Sequence, residues 1–184
     1  MPLYGGVIEL RTNKFETVDE IIEMLIELDT HCSFNDIYAK LVILGGSGIL
    51  INLALKGTSF RPTNDIDVEA IASSDLDKLY RSLAEYQIHP VGGVMDVPPM
   101  EDLTDEKNLF KLEGQGFTNI EVFVPSLELL ACCKIFSKRE KDLIDLKETE
   151  LLDKCNKQKL LELIEEYKPY TLNIDDPFLN IHEL

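Results

Sequence analysis

The sequence predicts an α+β fold: a mixed β-sheet flanked by helices, with a C-terminal helical extension. Three observations carry that reading. Up to residue 125, short apolar runs of strand character alternate with amphipathic stretches. Beyond Pro125 almost every apolar residue recurs at helical spacing. Between them, residues 41–69 hold an apolar run, a Gly-Gly-Ser turn, a helical stretch and a second, acid-bearing apolar run. The expected organisation is a core over 1–125 with a helical region over 126–184 packed on it, one compact domain overall.

The elements follow in order. A short strand is expected around 7–10. Residues 17–30 form an amphipathic helix whose apolar side is Val18, Ile21, Ile22, Leu25, Ile26 and Leu28. Val42, Ile43 and Leu44 read as a buried strand. Gly45 and Gly46 let the backbone turn sharply, and Ser47 stands where a helix would start, as an N-cap. In the next strand Ile66 and Val68 share one face, and Asp65, Asp67 and Glu69 the other. Residues 75–86 form a helix with Leu76, Leu79, Leu83 and Tyr86 inward. The stretch 90–107, with Pro98 and Pro99, is a long loop placed to lie over a site. Residues 109–112 and 120–124 make a hairpin across Gly114, Gln115 and Gly116. Helices follow at 126–137, 141–153 and 157–167, and the tail from 169 is extended or docked.

Composition narrows the function classes. A chain of 184 residues with 45% hydrophobic and 28% charged residues can bury a real core. Its net charge is −16, from 18 basic against 34 acidic residues. That balance argues against broad, nonspecific DNA binding, which rests on neutralising phosphates. The one clear basic strip is 134–141. Cys32, Cys132, Cys133 and Cys155 form no Cys-x-x-Cys pair, and His31, His89 and His182 are scattered. The cysteines read as reduced core residues, which with the lack of a signal-like start or a membrane-length apolar run points to the cytoplasm and to no membrane.

The chemistry concentrates in the central unit. Backbone N–H groups at a helix start favour anions such as phosphate. Asp65 and Asp67 point the same way from one strand, and two like charges so close call for a cation between them. Magnesium, or manganese, suits such a pair, since it takes one or two carboxylates plus substrate phosphates. Gly45, Gly46 and Ser47 are therefore candidate phosphate contacts, and Asp65 and Asp67 candidate metal ligands. Glu121, the one acid of its strand, is the candidate third carboxylate. On a continuous helix Leu127, Leu130, Ala131, Lys134, Lys138, Lys141 and Asp145 share a side. Such a side would carry lysines to the end of the sheet, where they could hold triphosphate oxygens.

The order Gly-Gly-Ser, helix, Arg61-Pro-Thr63-Asn-Asp65-Ile-Asp67 resembles the DNA polymerase β-type nucleotidyltransferase superfamily. The lead-in from Arg61 and the Lys134…Arg139-x-Lys141-Asp142-x-x-Asp145 pattern more closely resemble its abortive-infection, toxin-type branch (AbiEii-like) and uncharacterised bacterial relatives. The resemblance implies a nucleotidyltransferase fold. It implies Asp65, Asp67 and Glu121 as metal ligands and catalytic acids, and Lys134 as a catalytic cation. Gly45, Gly46, Ser47, Arg61, Thr63, Lys138, Lys141, Asp142 and Asp145 would line the nucleotide site, with Arg61 and Thr63 holding the loop before the acids. Asp142 and Asp145 would orient the lysines or tie the helix to the next element.

The implied activity is transfer of a nucleoside monophosphate from a nucleoside triphosphate to a hydroxyl on RNA, such as transfer RNA, or on a protein. An antitoxin partner belongs to the same resemblance. A second class is a binding or regulatory module of the same fold without transfer. A third is an interaction protein whose helices over 126–167 pair with a partner.

Overall fold

A computed structural model of the chain describes residues 14–92 and 97–171. The strand expected at 7–10 and the tail from 172 lie outside them. The architecture is the expected α+β arrangement, a five-stranded mixed sheet flanked by helices. In chain order the strands are β1 (Ala39–Ile43), β2 (Ile66–Ser73), β3 (Ile88–Pro90), β4 (Leu109–Lys111) and β5 (Ile120–Pro125). The helices are α1 (Val18–Phe34), α2 (Gly45–Leu55), α3 (Leu76–Glu85), α4 (Met100–Leu103), α5 (Leu127–Ile135), α6 (Glu140–Glu148), α7 (Leu151–Lys154) and α8 (Lys157–Tyr167).

The sheet order is β3-β2-β1-β5-β4. Central β1 is antiparallel to β2 and parallel to β5. β2 and β3 run parallel, and β4 and β5 form the predicted hairpin. Alternation sorts the strand residues as the sequence suggests. Leu41, Ile43, Ile66, Val68, Ile120, Val122 and Val124 are fully buried or nearly so, while Asp67, Glu69, Glu121 and Phe123 are half-buried on the other side. The pairing shifts register between Lys40 and Leu41, which pair with Ala72 and Ala70 and leave Ile71 as the extra residue of a bulge.

Each helix has a local cause. A reciprocal capping box starts α1, with Glu20 N–H donating to Thr17 Oγ1 (3.3 Å) and Thr17 N–H to Glu20 Oε2 (3.0 Å). Helix α2 is apolar all round and correspondingly buried from Ser47 to Leu53. Gly48 makes that burial possible, because a Cβ there would stand 2.9 Å from the Ile43 carbonyl oxygen and 3.0 Å from Leu130 Cδ1. The glycine thus seats α2 between β1 and α5. Helix α5 also packs on α6 and α8, which joins the C-terminal helices to the rest of the core.

Three expectations change. The proposed helix at 126–137 stops at Ile135, and the one at 141–153 divides into α6 and α7. Residues 90–107, predicted as loop, contribute part of β3, the short α4 and a 3-10 turn at Glu106–Asn108. Asp29 of α1 is buried. Its carboxylate accepts from the N–H groups of Thr118 (3.0 Å), Asn119 (2.7 Å) and Ile120 (2.8 Å), which anchors the start of β5. None of the four cysteines forms a disulfide. Burial pushes the Cys32 thiol up to about 11, with the Asp29 charge adding to it. Among the described residues no helix is long and apolar enough to cross a membrane.

Candidate active site

The strand-to-helix turn and the acid pair meet at one point. Gly45 follows β1 with φ of +57°, a left-handed conformation that glycine adopts without strain. A Cβ at Gly45 would collide with Asp67 Oδ2, so the absent side chain is what allows the turn and the acid to touch. The backbone is tied there as well, with Leu44 N–H donating to the Asp67 carbonyl (2.8 Å). At Gly46 a Cβ would stand 3.1 Å from Thr63 Cγ2 and 3.9 Å from an Arg61 guanidinium nitrogen. The two glycines therefore lie against the two ends of the Arg61–Asp67 segment.

Ser47 is not the N-cap that its position suggests. It is fully buried one turn inside α2, and its hydroxyl donates back to the Leu44 carbonyl (3.0 Å). Leu44 is the capping residue and supplies no side-chain hydrogen bond. Among the described residues, no side chain caps the first backbone N–H groups of α2, beside Asp67.

Thr63 fixes the loop before the acids. It pairs with Phe15 in both directions through the backbone (2.7 and 2.9 Å), and its hydroxyl donates to the Asp65 carbonyl (2.9 Å). Asp65 and Asp67 then project from the start of β2 on one face. Burial pushes the Asp67 carboxyl above its ordinary value, and the Asp65 charge adds to the shift; Lys141, His89 and Arg139 pull the other way. Two carboxylates on one strand face match what a hard divalent cation takes from a protein. Asp65 and Asp67 together fit such an ion. Among the described residues, no group of three or more His, Cys, Asp or Glu side chains is gathered so as to hold a metal.

Glu121 does not join them. It pairs in register with Lys40, which on the far side pairs with Ala72, five residues along β2 from Asp67. At about 3.3 Å per residue that level is about 15 Å along the sheet from Asp67, and Glu121 is two strands across as well. Its carboxylate is held instead by Lys111 (2.6 Å) and Lys40 (3.2 Å), whose hydrogen bonds keep it below its ordinary range. The face of Glu121 is the expected one, but its level is wrong. Phe123 and Pro125 are the β5 residues that follow it on that face, toward the Asp67 end of β1.

Lys134 is also elsewhere. The chain leaves the helix after Ile135 and re-enters at Glu140, so Lys134 does not share an exposed side with Lys138 and Lys141. Lys134 is buried, bound to Asp142 and lying 2.9 Å from Asp145 Oδ2. Asp145 also takes two hydrogen bonds from Arg61, one of them 2.8 Å from the terminal nitrogen, and Asp142 takes hydrogen bonds from Ser137 (2.5 Å) and Arg139 (2.7 Å). Lys134, Asp142, Asp145 and Arg61 thus form one buried network from α5 and α6 to the loop before β2. Lys138 and Lys141 are exposed.

The motif reading omits two neighbours of the acid pair. His89, opposite Asp67 in the β2–β3 register, has Nδ1 3.4 Å from Asp65 Oδ2. Arg139 lies near enough to Asp67 to act on its charge. No spacing in the sequence links His89 to Asp65; the parallel β2–β3 pairing makes that contact.

A family model described as "Nucleotidyltransferase of unknown function (DUF6036)" matches residues 13–178. The chain belongs to this nucleotidyltransferase family. The match spans the turn, the acid pair, the buried network and every described C-terminal helix, so these features lie within one family unit. No curated protein and no solved structure matches the chain.

Proposed function

We propose that this family member transfers a nucleoside monophosphate from a nucleoside triphosphate to a hydroxyl acceptor, with magnesium or manganese held by Asp65 and Asp67. The observation that carries the reading is the contact between Gly45 and Asp67. It brings the uncapped start of α2, which suits phosphate, against a carboxylate suited to a cation.

The residues divide the work. The backbone N–H at Gly46, in the accessible part of the turn, would donate to phosphate oxygens, and buried Ser47 would hold the turn behind it. Lys138, Arg139 and Lys141, at the turn into α6, would neutralise phosphate charge. The metal, when bound, would stabilise charge on the transferring phosphoryl group. Arg61, Thr63, Lys134, Asp142 and Asp145 would position the loop and α6 without touching substrate. In the balanced reaction the acceptor oxygen bonds to the α-phosphorus, the α–β bridging bond breaks, pyrophosphate leaves, and the hydroxyl proton passes to solvent or a nearby base. Positioning and electrostatics would supply most of the acceleration.

The acceptor in this reading is RNA, including transfer RNA, or a protein side chain, as in the toxin-type branch that the motifs resemble. A protein antitoxin belongs to the same proposal. A second reading has one specific observation in its favour. With Glu121 about 15 Å along the sheet and two strands across from the acid pair, the site has two carboxylates, which also suits a module that binds nucleotide and metal without transfer.

Label transfer separates the two. The chain is incubated with each α-labelled nucleoside triphosphate, magnesium or manganese, and a mixed pool of RNA and protein. Label that depends on Asp67 establishes transfer and reveals the acceptor class. Metal-dependent nucleotide binding without label supports the binding module.

A further inference from the structure

A cavity of about 600 Å³ opens at the end of the sheet remote from the acid pair. Its lining includes Tyr38 and Lys40 of the β1 side, Ser74 beyond β2, and Lys111, Gly114 and Glu121 of the hairpin. None of the residues assigned to the transfer site lines it.

The charges there are arranged side by side. Lys40, Glu121 and Lys111 stand on the adjacent strands β1, β5 and β4, with one ammonium on each Glu121 oxygen. Their side chains are 45%, 39% and 43% exposed. The three sum to one positive charge, in a chain whose net charge is −16; Glu113, exposed on the hairpin loop, is the other acid of the lining. The carboxylate offers these ammoniums two oxygens. A phosphate monoester offers three on a doubly charged group, so it can draw both lysines toward itself.

Beside the lysines stands a free ring. Tyr38 is 60% exposed and lies two residues before Lys40 in extended chain, which puts both on one side. The opposite wall keeps its distance. Gly114 and Gly116 both have φ of +78°, and a Cβ at either would meet nothing within 4 Å. The hold of Asp29 on the N–H groups of 118–120 fixes the base of that wall. A cavity of mixed lining with paired ammoniums and one exposed aromatic ring matches a small ligand that joins a phosphate to a planar ring.

We propose that this cavity is a second ligand site, for a small phosphorylated molecule of the nucleoside monophosphate class. Its level on β2 lies about 15 Å from Asp67. A nucleotide there is therefore neither the donor in the transfer site nor within reach of it, and the inference stands apart from the reading of the acid pair.

The test is calorimetric titration of the full chain with the four ribonucleoside monophosphates and, separately, inorganic phosphate. The buffer contains EDTA, which silences metal-dependent binding at Asp65 and Asp67. At least one nucleotide is expected to bind at one site per chain, about tenfold more tightly than phosphate. Lys111→Ala should weaken nucleotide and phosphate alike by about tenfold. Tyr38→Ala should weaken the nucleotide and leave phosphate unchanged. Glu121→Gln, which releases both lysines while keeping the shape, should tighten both, and it keeps the test open if Lys111→Ala fails to fold. Asp67→Asn should leave this binding as it is. Failure of every monophosphate to bind would overturn the proposal. So would binding that is lost in Asp67→Asn but kept in Lys111→Ala.

Discussion

Lys134 Nζ lies 2.9 Å from Asp145 Oδ2 and also donates to Asp142, and all three side chains are closed to water. A lysine in that position is spent on holding α5 to α6. Removing one partner of a buried pair leaves charge without compensation, which costs about 3–5 kcal/mol. Lys134→Ala should therefore lower stability by about that amount in chemical denaturation, at any nucleotide concentration. If the variant kept wild-type stability and lost triphosphate binding alone, Lys134 would be a phosphate ligand after all.

The same network makes a prediction in acid. Burial alone would push Asp142 up, but hydrogen bonds from Lys134 and Ser137, with the Lys134 and Arg139 charges, outweigh it and hold its carboxyl below the ordinary 3.8. A depressed carboxyl contributes stability that is present above its unfolded value and is lost as pH falls through the folded one. Asp142→Asn should therefore melt well below wild type at pH 7, and the gap should narrow below pH 3.8. Melting curves over that range check it; a gap independent of pH would assign the loss to packing.

Gly45→Ala tests the contact between the turn and the acid. The substitution places a methyl group against Asp67 Oδ2 on a backbone at φ +57°. A left-handed non-glycine residue costs about 1–3 kcal/mol before the collision is counted. Asp67 has to move, so metal-dependent nucleotide binding should fall by more than about tenfold while the variant still folds. Unchanged binding in a folded variant would separate the turn from the site.

The readable parts of this chain were those whose partners are near in sequence. Gly45, Gly46 and the Asp65–Asp67 pair could be read because a turn, a helix and one alternating strand bring them together. The unread parts depend on long-range register. Glu121 was placed on the right face, but its level follows from the order β2-β1-β5 and the Lys40 pairing, which no local pattern encodes. His89 sits in a three-residue strand, too short to show a period. The break between α5 and α6 carries neither glycine nor proline. It is held by the Ser137 hydroxyl, which accepts from Arg139 N–H (3.1 Å) and donates to Asp142, and that arrangement buries Lys134. The burial of Asp29 has no local signal either, because its partners are backbone N–H groups some ninety residues away.

The acid pair predicts a trade between stability and function. Burial, with Asp65 adding, raises the Asp67 carboxyl. For an acid raised in the folded state the sign is opposite to that of Asp142: charging it at neutral pH costs stability, and the cost disappears as pH falls below the unfolded value. Asp67→Asn should therefore melt higher than wild type at pH 7 in EDTA, with the two converging in acid. Magnesium should raise the wild-type melting temperature, because a ligand that binds only the folded state stabilises it. It should leave Asp67→Asn unmoved. Thermal melts of both proteins at pH 7 and in acid, with EDTA and with magnesium, measure all of these differences. An Asp67→Asn variant that melts lower than wild type in EDTA would mean that the carboxylate is structural. One that still responds to magnesium would place the metal elsewhere.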